Sequence, residues 1–157
     1  MNTDKKSGRY QRLFDQMKEL LVKSNNSLSD MATIVAVLHH KMDHYFWTGF
    51  YLLQEDKLQV GPYQGPLACI DLKQNTGVCW AGINQGKTII VPDVHAFPGH
   101  IACDSRSQSE IVVPLIDSSG LPWAVLDVDS TEKEAFDETD AFWLEKIVLL
   151  VRDLNKV

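Results

Sequence analysis

Residues 109 to 130 read SEIVVPLIDSSGLPWAVLDVDS, two apolar runs joined across a short polar turn. No other stretch limits the fold so strongly. Each run alternates with a period of two, the pattern of a strand with two distinct faces. The intervening SSG is a hairpin turn, which makes the two strands antiparallel neighbours. Ile111, Val113 and Leu115 then share one face and Glu110 takes the other. Likewise Leu126 and Val128 point one way while Asp127 and Asp129 point the other.

The remaining elements follow from period and punctuation. Tyr10, Leu13, Phe14, Met17, Leu20 and Leu21 form the apolar stripe of a helix running from about residue 4 to 24. NNSLSD breaks it, and Ser27 with Asp30 three residues on resembles a capping box for a second helix ending near Met42. YFWTGFYLL (45–53) and LQVGPYQG read as strands joined by QEDK, and KTIIVPDV reads as a strand stopped by Pro92. LACIDL suits a strand or a helix equally, whereas TGVCWAGINQG reads as a short helix closed by Gly86. His95 to Ser107 is loop. Leu144, Ile147, Val148, Val151 and Leu154 mark a C-terminal helix whose first turn favours acidic residues. Hairpin links among the strands predict an α+β fold, an antiparallel sheet with helices packed on it. At 157 residues the chain is expected to form a single domain over 1–157.

Composition excludes several functions. A net charge of −6 with no basic stripe argues against nucleic acid as a partner. No run approaches the ~20 apolar residues of a membrane span, and MNTDKKSGRYQRLF lacks the apolar core of a signal peptide. A cytoplasmic location is the expectation. Three cysteines are too few and of the wrong parity for a secreted disulfide framework, which leaves each as a buried packing residue or as a thiol in transient, catalytic use.

Alternation in YFWTGFY places Trp47, Gly49 and Tyr51 on one face, two aromatic rings flanking bare backbone. Asp127 and Asp129 share a face of an apolar strand, with Glu110 on the neighbouring one. Clustered carboxylates are costly to dehydrate unless a cation or a proton lies among them. The cluster suits a substrate ammonium group, a hard metal ion, or a carboxyl kept protonated as an acid. An aromatic slot beside it suits a small ligand that is sulfur-bearing at one end and cationic at the other, such as a free amino acid. Cys103 lies in HIACDSRSQSE, among polar neighbours where a packing cysteine would be out of place. Arg106 or a helix end could raise its thiolate fraction, and Cys69 and Cys79 are possible partners once it is oxidised.

The segments GPYQGPLACIDL, GVCWAG, GHIACDSRSQSEIVVPL and LDVDS, with FWTGFY, resemble the free methionine-(R)-sulfoxide reductases, which are built on a GAF domain. The likeness runs from about Tyr10 to Leu154. It implies that Cys103 attacks the sulfoxide sulfur and becomes a sulfenic acid. Cys69 would resolve it to a disulfide, Cys79 would be a second recycling cysteine, and thioredoxin would be the reductant. It further implies that Trp47 and Tyr51 hold the methyl end of the substrate and that Glu110, Asp127 and Asp129 form its acidic pocket. A homodimer built from terminal helices, no metal and no organic cofactor are also implied.

Two other readings predict different things. A GAF sensor module that binds a small ligand without chemistry has no need of three cysteines and is usually joined to an effector domain, for which nothing follows Val157. A zinc site of Cys69, Cys79, Cys103 and His100 lacks the closely spaced cysteine pairs of structural zinc centres.

Overall fold

The computed structural model describes residues 2–100 and 103–153. Leu154, expected to extend the last helix, and the loop positions 101 and 102 lie outside that range. In chain order the elements are α1 (Thr3–Leu21), α2 (Ser27–Lys41), β1 (Trp47–Gln54), β2 (Lys57–Gln64), β3 (Asp71–Leu72), α3 (Gly77–Gln85), β4 (Ile89–Val91), β5 (Ser109–Ile116), β6 (Pro122–Ser130) and α4 (Glu138–Val148). The strands form one sheet in the order β3-β2-β1-β6-β5-β4, and every pairing is antiparallel. This is the α+β architecture expected from the hairpins.

The sheet separates two apolar clusters. On one side α1, α2 and α4 pack on Phe50, Ile111, Val113, Leu115, Leu126 and Val128. On the other, Trp47, Tyr51, Val112 and Val125 meet α3 through Cys79, Trp80 and Ile83. The period-two alternation of β5 and β6 thus sorts their side chains as the sequence indicates. Helix α3 can lie close to the sheet because Gly82 has no side chain: a Cβ there would stand 2.9 Å from Val112 Cγ1. Gly86 closes α3 in the left-handed region, at φ 62°.

Helix ends differ from expectation in two places: α4 stops at Val148, so Val151 lies beyond the helix its spacing suggests, and α2 is capped differently. The cap of α2 is Asn26, whose side chain accepts from the amides of Leu28 and Ser29. Ser27 and Asp30 are buried and instead hold the chain beyond α4: the Ser27 hydroxyl donates to the Arg152 carbonyl at 2.6 Å, and the Arg152 amide donates to Asp30 at 3.1 Å. A capping box does occur at α4, from Asp137 and Asp140. Within α1, Leu20 is exposed and Lys6 is buried, because the Lys6 ammonium pairs with the buried Asp140 and Tyr10 donates to the same carboxylate. A positive group, one hydroxyl and the Asp137 amide around one carboxylate replace the solvent it has lost.

Candidate active site

The central strands arrange the second sheet face in rows. Trp47, Asp129 and Glu110 are cross-strand neighbours on β1, β6 and β5, and Gly49, Asp127 and Val112 form the next row. Tyr51 stands beside Val125 in the third. Helix α3 brings Cys79 over these rows, while residues of the stretches 66–72 and 103–107, with His100, form the rim. Together they enclose a cleft lined by Trp47, Tyr51, Cys79, Cys103, Glu110, Asp127 and Asp129. Its space is about 590 Å³ including the open mouth. Every residue singled out for the site therefore lines this cleft except Cys69, which enters through its bond to Cys103.

Cys69 and Cys103 form a disulfide with Cα atoms 5.6 Å apart. Cys103 is exposed and Cys69 half-buried, so the bond sits at the rim, within reach of a partner. Cys79 is a free, buried thiol. Burial, followed by the adjacent Asp127, pushes its pKa far up, which keeps it protonated at neutral pH.

The aromatic wall is more crowded than alternation alone suggests. The Trp47 ring stacks between Tyr51, 5.7 Å away, and Tyr63, 5.4 Å away. It also folds across Gly49, so the bare backbone there is covered rather than left as a slot. A Cβ on Gly49 would lie 2.5 Å from both the Trp47 ring and Tyr63 Cβ. Gly49→Ala is therefore expected to displace Trp47, lowering stability by about 2 kcal/mol and opening the wall; chemical denaturation and tryptophan fluorescence would register the two effects. Both rings also hold the rim by their polar atoms. Trp47 Nε1 donates to the Pro66 carbonyl at 3.1 Å, and the Tyr51 hydroxyl donates to the Cys69 carbonyl at 3.2 Å.

Burial dominates the acidic floor. It raises Glu110 far above the ordinary carboxylate range, reinforced by Asp127 and Asp129. It does the same to Asp129, with Asp127 adding to the effect and a Ser107 hydrogen bond opposing it. Asp127 rises only to about 6, because Glu110 and Cys79 offset part of the burial cost. Asp127 is thus the least raised of the three, and Glu110 and Asp129 hold their protons to higher pH than ordinary carboxyls do.

Two residues modify the expectation for Cys103. The Arg106 guanidinium binds both oxygens of Asp104, at 3.0 and 2.8 Å, and lies 4.9 Å over the Phe46 ring. Its charge is thus committed to Asp104, whose pKa it holds down to about 2, and is not free to activate the thiol. His100 also lines the cleft, with Nδ1 3.8 Å from Glu110 Oε2. Burial, and then His95, lowers its pKa, favouring a neutral ring. Its position three residues before Cys103 was the one available hint of this placement.

A sequence model of the GAF domain matches residues 13–152. GAF domain-containing protein A of Dictyostelium discoideum is 44% identical over 93% of this chain and 92% of its own. The free methionine-R-sulfoxide reductase of Escherichia coli is 37% identical over 94% of this chain and 87% of its own. Among solved structures, that of the free methionine-R-sulfoxide reductase from Neisseria meningitidis in complex with its substrate superposes with a TM-score of 0.89 at 39% identity, covering 93% of this chain and 87% of that one. With the fold, the cysteine arrangement and these likenesses in agreement, the chain belongs to the GAF-domain family and, within it, to the group of the free methionine-R-sulfoxide reductases.

Proposed function

We propose that the protein reduces free methionine-R-sulfoxide to methionine, with Cys103 as nucleophile and Cys69 as resolving thiol. The observation that carries this reading is the Cys69–Cys103 disulfide at the mouth of a cleft walled by two aromatic rings and floored by three buried acids. In the reduced protein the Cys103 thiolate attacks the sulfoxide sulfur. A proton from the Glu110–Asp129 pair neutralises the oxygen, which is transferred to Cys103 as sulfenic acid while methionine leaves. The Cys69 thiol then displaces that oxygen as water and forms the disulfide, so one sulfoxide is reduced for every two thiols oxidised.

Trp47 and Tyr51 suit the methyl and sulfur end of the ligand through ring contacts. Asp127, ionised at neutral pH, suits its ammonium group. A peptide-bound methionine sulfoxide has an uncharged amide in that position and leaves a buried carboxylate unpaired, at a cost of several kcal/mol. Preference for the free amino acid follows from this. The R epimer is inferred from the relatives, whose names specify it.

Exposure of Cys103 suits attack by an external dithiol, and thioredoxin is the reductant we infer; Cys79, held as a thiol, has an auxiliary part in recycling. No described helix is long and apolar enough to cross a membrane. A cytoplasmic setting, where thioredoxin is kept reduced, fits a disulfide that must reopen in every cycle. Leu20, Val22, Leu28 and Phe142 are exposed on or beside the terminal helices and offer an apolar face for a homodimer.

The test is a single turnover. Reduced protein given excess free R-sulfoxide, without reductant, is expected to yield one methionine per chain and a Cys69–Cys103 cross-link by peptide mass. Thioredoxin with its reductase then restores repeated turnover. Recovery of three unmodified thiols would overturn the reading.

A further inference from the structure

On the floor of the cleft, ligand atoms of Cys79, Glu110 and Asp127, all buried, lie within 4.8 Å of one another. Asp127 is only 7% exposed and lines the cavity, yet its Oδ1 has no hydrogen-bond partner. A buried carboxylate oxygen left unpaired is costly and points to a ligand that satisfies it. A fourth donor stands at the rim. His100 Nδ1 is 3.8 Å from Glu110 Oε2, too far for a hydrogen bond but close to the separation of two atoms that bind one ion.

We propose that these residues form a Zn²⁺ site, with Cys79 Sγ, Glu110 and Asp127 as ligands and His100 Nδ1 as the fourth. One thiolate, two carboxylates and an imidazole form a mixed donor set that suits zinc, whereas calcium and magnesium take oxygen alone. Zinc–ligand bonds of about 2.0–2.3 Å in a tetrahedron put neighbouring ligands roughly 3.5 Å apart. The three floor ligands, within 4.8 Å of one another, must draw together by about 1 Å to reach that spacing, and His100 must swing in from the rim to complete it.

This set differs from a site built on all three cysteines. Cys69 and Cys103 are bonded to each other and unavailable, whereas Cys79 is free in the same structure. The site therefore exists in the oxidised protein. Zinc there occupies the place that the proposed function gives to the substrate ammonium, so zinc and methionine exclude one another; only this consequence rests on that reading.

The experiment uses oxidised, metal-stripped protein, with Zn²⁺ titrated against a chromophoric chelator and Co²⁺ as a spectroscopic substitute. One zinc per chain is expected, and cobalt should show a sulfur-to-metal band in the near ultraviolet. Cys79→Ser should abolish that band, and Cys79→Ser and Asp127→Asn should each weaken zinc binding by at least about 10-fold. Asp93→Asn, which alters the exposed Asp93–His95–Lys133 cluster, should leave it unchanged. Undiminished affinity in both floor variants, cobalt bound without the sulfur band, or no binding at micromolar zinc would each overturn the proposal. Should Cys79→Ser fail to fold, Asp127→Asn and the wild-type spectrum decide. Free methionine is expected to displace the ion. Stoichiometric binding that depends on Cys79 but resists methionine would uphold the zinc site and reject the placement of the ammonium at Asp127.

Discussion

Cys103→Ser is expected to abolish turnover, with methionine release at least about 10³-fold below wild type. A serine hydroxyl is too weak a nucleophile at neutral pH to attack a sulfoxide sulfur, and Arg106, the nearby cation in sequence, is held by Asp104. The variant should fold, since Cys103 is exposed. Its stability must be compared with that of the reduced wild type. Closing a loop of 34 residues constrains the unfolded chain and gives the oxidised form an advantage of about 3–4 kcal/mol that no serine variant can have. Cys69→Ser separates the two halves of the reaction. It should release one methionine per chain and then stop, with a sulfenic acid trapped on Cys103 that a dimedone-type reagent captures. Sustained turnover by Cys103→Ser in the thioredoxin-coupled assay would remove Cys103 from the mechanism.

Glu110→Gln is the second large effect, a loss of about 10²–10³-fold in kcat. Glutamine keeps the shape and can donate a hydrogen bond, but it cannot surrender a proton to the sulfoxide oxygen. The pH profile is the sharper readout. If Asp127 holds the ammonium as proposed, it must be ionised to do so, and wild-type activity is expected to rise as pH passes about 6. The Glu110–Asp129 pair must remain protonated, so activity falls again at higher pH, as these raised acids lose their protons. Glu110→Gln should blunt the alkaline limb and leave the acid limb in place. Asp127→Asn should do the opposite, removing the rise near pH 6 and raising KM for the free amino acid. A profile of unchanged shape in both variants would mean that the buried acids do not divide the work in this way.

The sheet and the convergence of its polar residues were legible because β-structure encodes facing in parity. Once the apolar faces of Ser109–Ile116 and Pro122–Ser130 turn to one core, Glu110, Asp127 and Asp129 share the other side, in a register that shifts between Leu115 and Ile116. The alternation of FWTGFY adds Trp47 and Tyr51 to that same face. Long-range contacts leave no such periodic trace. Tyr63 stacking on Trp47 depends on the register between β1 and β2, which shifts between Gly49 and Tyr51. The commitment of Arg106 to Asp104 depends on a tight loop conformation, with the Asp104 carboxylate also accepting from the Arg106 amide. Ser27 and Asp30 satisfied a local capping pattern but are spent on Arg152, more than a hundred positions away. Helix α2 took the simpler cap, Asn26, one residue earlier.

Trp47 and Tyr51 each meet the cleft with a ring and grip the neighbouring backbone with a polar atom. Through those two grips, the surface that would receive a ligand and the stretch carrying the second sulfur form one mechanical unit. On the proposed roles, a ligand that wedges the rings apart is expected to shift Cys69 relative to Cys103. A substitution in either ring that broadens selectivity should therefore also delay disulfide closure.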